Sequence, residues 1–173
     1  MASTPSRADS LWDIEGLSRF GGNPLEAFLR THEDQLALCR MLEEIADSLP
    51  DNVDKQKCMH AAREIWPLLR GAHSFEEKVV FPMFVERLSH VAGLPETISR
   101  LKAEHAEDEC YAEELTDSLL LLGAGDKGLN FDTVGYMLRG FFESVRRHIA
   151  FEREHVMRLA TEAGMTNGPQ GSA

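Results

Sequence analysis

Residues 69–84, LRGAHSFEEKVVFPMF, combine a helical apolar stripe with charged and imidazole side chains set into it. Leu69, Val80 and Phe84 continue a stripe begun by Ala62 and Trp66 at helical spacing, so a helix buries this face. Between Leu69 and Val80 the stripe is carried by His73 and Glu77, an i,i+4 pair whose Cβ atoms sit about 5–6 Å apart on one face. An imidazole and a carboxylate thus stand where apolar side chains are expected. Pro67 and Pro82 cannot donate backbone hydrogen bonds inside a helix and clash with the preceding turn, so this helix is expected to bend.

The same interruption recurs in three further stripes. Asn23-Pro24 reads as an N-cap with proline in the first turn, opening a helix to Leu49 whose stripe is Leu25, Phe28, His32, Leu36, Cys39, Leu42 and Ala46. A third helix follows Gly93 to Pro95 with Ile98, Leu101, His105, Ala112, Leu115, Leu119 and Leu122, and Gly123, Gly125 and Gly128 stop it. A fourth runs from Asn130 to about Ala163 with Val134, Leu138, Phe141, Val145, His148, Glu152 and Leu159. No strand-like alternation of useful length is present. The pattern predicts an all-α protein, an up-down-up-down four-helix bundle over residues 23–163. Residues 1–22 form an N-terminal arm in which Leu11, Ile14 and Leu17 fit a short amphipathic helix, able to cross the bundle or meet a protein partner. Residues 164–173 read as a flexible tail.

Composition narrows the function classes. The 173 residues make one ordinary domain, 43% apolar and 27% charged, as expected of a soluble globular chain. A net charge of −11 argues against nucleic acid, whose phosphates need clustered Lys and Arg. The longest strongly apolar run, Leu119 to Leu122, is far too short to cross a bilayer, so no membrane contact is expected. The opening MASTPSRADSLWDIEG lacks the apolar core of a secretion signal, and Cys39, Cys58 and Cys110 fit reduced thiols; both point to the cytoplasm.

The interruptions also repeat. His32 to His73 spans 41 positions and His105 to His148 spans 43, each second histidine being followed by a glutamate four residues on. Two helical hairpins carry one histidine, histidine, glutamate set, and antiparallel packing brings all six side chains to one level of the core. A lone histidine on an apolar face is commonly a hydrogen-bonded core residue. Two buried carboxylates are harder to explain, because each unpartnered charge costs several kcal/mol and the stripes hold no well-placed Lys or Arg for both. Cations are the simplest compensation. Six mixed imidazole and carboxylate ligands exceed the four of a closed zinc site. If both glutamates bridge, the protein supplies about eight of the roughly twelve bonds that two octahedral ions need. A bridging oxygen fills two more, leaving about two open for dioxygen, peroxide or nitric oxide. The donor set suits iron or manganese, and softness alone leaves two zincs open.

These motifs, THEDQLALC at 31–39, AHSFEEKVVFP at 72–82, KAEHAEDE at 102–109 and RRHIAFERE at 146–154, resemble those of the hemerythrin-like, HHE cation-binding family. The resemblance implies two iron ions with a bridging oxo or hydroxo group, held by His32, His73, Glu77, His105, His148 and Glu152, with both glutamates bridging. Oxygen-carrying members are expected to have a further histidine where this chain has Glu109, and an aspartate where it has Arg153. A ligand set poorer in histidine stabilises oxidised iron. The expected function is therefore binding or reduction of a small oxidant in sensing or stress defence, with Glu109 or a bound water as local proton source. The alternatives are a catalase-like or other di-iron oxidoreductase, and a metal-stabilised interaction module signalling through Leu11, Trp12 and Leu17. Secondary candidates are Glu109 and Asp108 as a seventh ligand and His155 as an orienting partner of Glu152. Tyr111 and Cys39 are candidate redox-active neighbours, and Trp66, Phe141 and Phe151 candidate cavity walls; His60 and His90 read as surface.

Overall fold

The structure, a computed structural model, describes residues 22–165. The amphipathic segment through Leu11, Trp12 and Leu17 and the tail beyond residue 165 lie outside the described residues.

Helix α1, Pro24–Ser48, starts as its sequence requires: the Asn23 side chain accepts the Leu25 N–H at 3.0 Å, with proline in the first turn. Asp54 caps α2, Lys55–Phe75, by accepting the N–H groups of Gln56 and Lys57. A five-residue π-turn, Glu76–Val80, joins α2 to α3, Phe81–Arg87. Helix α4, Leu94–Ala124, begins after Gly93 and ends at Gly125, whose φ of +75° lets its N–H fold back onto the carbonyls of Leu121 and Leu122. Asn130 caps α5, Phe131–Phe151, and a second π-turn, Glu152–Val156, leads into α6, Met157–Glu162. Helix α1 packs against α2 and α5, and α4 packs against the same two, which makes the four-membered ring of an antiparallel bundle.

Helix α2 runs through Pro67 as one helix, and a change of register falls at Glu76. Pro82 lies in the first turn of α3, where a missing donor costs little. No helix among the described residues is long and apolar enough to cross a membrane.

The core is in two parts. Leu38, Leu42, Ile65, Leu69, Leu115 and Phe141 belong to one apolar cluster, and Phe28, Phe75, Phe81, Phe84, Leu101 and Val156 to another. Each large side chain buried this way contributes about 1.5–3 kcal/mol. His32, His73, His105 and His148 fall between these clusters along their helices, so a polar layer divides the interior.

A polar layer with unsatisfied donors and acceptors

The layer is dry. His32, Glu76 and Glu152 are wholly buried, and His73, His105 and His148 nearly so. One ligand atom from each of Glu76, His105, His148 and Glu152 lies within 4.8 Å of the other three. Bonds of about 2.1 Å to a shared cation place opposite ligands roughly 4 Å apart, so this spacing suits a metal ion. The His73 ring stacks on His105 with centroids 3.9 Å apart and planes 7° from parallel.

Three imidazoles are oriented from outside in the same way. His73 Nδ1–H donates to Glu109 at 3.2 Å, His105 Nδ1–H to Glu77 at 2.9 Å and His148 Nδ1–H to Glu104 at 3.0 Å. In the neutral ring, this carboxylate at the outer nitrogen fixes the tautomer that leaves Nε2 as a lone pair facing inward, the arrangement of metal-binding histidines. Those three Nε2 atoms have no hydrogen-bond partner, nor do both oxygens of Glu76 and Oε1 of Glu152. His105 Nε2 stands 3.1 Å from Glu76 Oε2, but outside hydrogen-bond geometry. Buried polar atoms are almost always satisfied, so six orphans converging on one layer fit a bound cation. His73, Glu76, His105, His148 and Glu152 are the residues suited to hold it.

The structure thus corrects the inward carboxylate of the second helix from Glu77 to Glu76. Three and four residues after His73 both lie on its face, and the pair Glu76-Glu77 leaves the choice open in sequence. The π-turn decides it. Opening at Glu76, with the Phe81 N–H bonded back to the Glu76 carbonyl, it brings Glu76, Val80 and Phe81 inward together. Glu77, its side chain 36% exposed, is left at the rim on the outer nitrogen of His105. The second π-turn opens at Glu152 in the same manner, with the Met157 N–H on the Glu152 carbonyl. Such π-turns are rare and recur at functional sites.

The family model for the hemerythrin HHE cation-binding domain matches residues 23–160. The chain belongs to that family. No curated protein and no solved structure matched.

In this HHE domain the remaining candidates fall outside the inward set. His32 lies in the layer but is hydrogen-bonded at both nitrogens, to Glu152 at 2.9 Å and to Arg153 at 3.3 Å. Glu109 is a rim partner of His73. Asp108 is buried, accepts the Ser144 hydroxyl at 3.2 Å, and burial pushes its carboxyl up. His155 is exposed and stacks on Phe151, away from Glu152. Tyr111 donates to the Met137 carbonyl, in an approach that only a glycine at 140 permits, since a Cβ there would meet the phenol oxygen at 2.8 Å. Burial pushes the Cys39 thiol up to about 12, which leaves it inert. Phe141 is core, Trp66 packs half-buried against the same cluster, and Phe151 lines a cleft beside His148. His60 and His90 are at the surface.

Electrostatics of the metal-free layer follow from burial first. It raises Glu76 well above the carboxylate range and lowers His73 and His105. It also works against the charge on His148, but the Glu152 carboxylate 3.6 Å away outweighs it and lifts that imidazole to about 9. A raised histidine stabilises the fold fully below about 6.5 and loses that stabilisation as pH climbs through 9, on the order of 3 kcal/mol. Ionisation of Glu76 has the same sign, since an acid raised by folding opposes the fold as pH increases. Metal-free protein should therefore melt at lower temperature at pH 9 than at pH 6.5. Metal-loaded protein should show the opposite trend, because binding displaces protons from the ligands. Thermal melts of both forms at the two pH values check this; parallel trends would rule it out.

Proposed function

We propose that this chain is a non-heme di-iron protein that binds or reduces a small oxidant, dioxygen, peroxide or nitric oxide, in sensing or stress defence. The observation that carries the reading is the set of six unsatisfied donor atoms on His73, Glu76, His105, His148 and Glu152 in a buried layer. Membership of a cation-binding family supports it.

Bound iron would supply positions for a small ligand and the electrons to reduce it. The chain's own residues do the rest. Phe28 against His32 and Phe81 stacked over His105 exclude water from one side of the layer. A cleft of about 400 Å³ lined by Arg100, Glu104, Asp108, Ser144, Arg147 and His148 reaches the layer at His148, with room for a diatomic molecule or peroxide. Asp108 stands in that cleft, where burial pushes its carboxyl up; Ser144 donates to Oδ1, which leaves Oδ2 as the oxygen at which a proton can be held. Asp108 is thus better suited as the local proton source than Glu109, whose Oε1 accepts from His73.

Anaerobic ferrous protein mixed with dioxygen or peroxide should develop an iron-centred absorption change at the stoichiometry of bound iron. A loaded protein that stays spectrally silent with dioxygen, peroxide and nitric oxide would refute the reading. The open cleft also favours a second reading, a catalase-like enzyme. Sustained oxygen release from peroxide over many turnovers per site would select it, and a single stoichiometric oxidation would select the sensor.

A further inference from the structure

His32 differs from the other three histidines of the layer in what faces its outer nitrogen. His73, His105 and His148 each meet a carboxylate there, whereas His32 Nδ1 meets Arg153 Nε at 3.3 Å. A guanidinium has donors and no acceptor. The Arg153 N–H therefore donates into the Nδ1 lone pair, and the proton of the neutral imidazole must sit on Nε2. That proton points at Glu152, whose Oε2 accepts it at 2.9 Å. His32 Nε2 is accordingly satisfied, while the Nε2 atoms of the other three are orphaned. A metal bond needs the Nε2 lone pair, which in this arrangement does not exist.

Arg153 is itself anchored. Its Nη2 donates to Glu33 Oε1 at 2.6 Å, one residue from His32 on α1, so the guanidinium spans α1 and the second π-turn. The contact is at the surface, with Arg153 37% and Glu33 57% exposed, so it can open without disturbing the core.

We propose that Arg153 is a positioning residue that withholds His32 from metal and makes the two cation positions unequal. Resting on the di-iron reading above, the inference refines how that site fills. The first divalent cation is held among His73, Glu76, His105, His148 and Glu152, whose donor atoms already face inward. The second enters only when Arg153 leaves Nδ1, a proton is placed there and the Nε2 proton departs, freeing both His32 Nε2 and Glu152 Oε2. The protein then passes between one-metal and two-metal forms according to cation supply, with the Arg153 contact setting the threshold.

Cobalt(II), a divalent probe with a visible spectrum, tests this on the full chain without oxygen. Wild type should bind one equivalent tightly and the second roughly 10–100-fold more weakly or not at all, the range expected when an outer partner misdirects a ligand. Arg153→Met removes the donor and keeps the stem, and Arg153→Glu supplies the carboxylate that the other three histidines have. Both should tighten the second step by about that factor and leave the first unchanged. Two equal steps in wild type, or a weak second step that neither variant changes, would overturn the proposal. Should both variants misfold, nitrogen-15 NMR of wild type with one equivalent of zinc decides: a proton on His32 Nε2 upholds the proposal and one on Nδ1 overturns it. Wild type that takes up no cobalt at all would instead defeat the di-iron reading itself.

Discussion

Glu76→Gln should abolish metal retention, whereas Glu77→Gln should leave the protein loaded. Glu76 is wholly buried with both oxygens unsatisfied, so a neutral amide there removes a charge-bearing donor from the centre of the layer. Glu77 touches only the outer nitrogen of His105, and losing such a partner costs about 10–100-fold in metal affinity. The loss at Glu76 should exceed that range. Stability separates the two further. Without metal, the buried Glu76 carboxylate costs several kcal/mol whenever it ionises, so Glu76→Gln should be as stable as metal-free wild type, or more so, at neutral and higher pH. Metal content after dialysis against graded chelator, together with melts of the metal-free proteins, checks both claims. The reverse ranking would return the inward role to Glu77.

Removing the metal should lower the melting temperature by roughly 8–16 °C. A ligand that binds only the folded state stabilises it by about 4 kcal/mol when its free concentration is 1,000 times Kd. A domain of this length shifts by about 2–4 °C per kcal/mol. The physical source is the layer between the two apolar clusters, where buried imidazole nitrogens and carboxylate oxygens are unsatisfied. Thermal unfolding with excess metal, and again after chelation verified by elemental analysis, measures the difference. An unchanged midpoint after complete removal would mean that the protein satisfies this layer by itself.

Much of the fold was legible because its signals are local. Asn23 and Asn130 cap helices through their own side chains, and Gly93 and Gly125 mark ends because they adopt positive φ. The bundle follows from apolar stripes that the structure buries, such as Leu101, Ala112, Leu115, Leu119 and Leu122. The buried histidines were legible for the reason the glutamate was not. Each histidine interrupts a stripe at an unambiguous position, whereas Glu76 and Glu77 are adjacent and each is compatible with α-helical facing.

Helical periodicity assigns a face from spacing alone, so the helices, their order, the four imidazoles and the fourth-helix carboxylate that enter the core follow from the chain's residues. Which second-helix carboxylate turns inward depends on packing, because a π-turn adds a residue to one turn and resets the register after Glu76. Packing also decides what faces the outer nitrogen of each histidine. Those partners, Glu77, Glu104, Glu109 and Arg153, sit on other helices, and contacts between helices leave no periodic trace in a single chain.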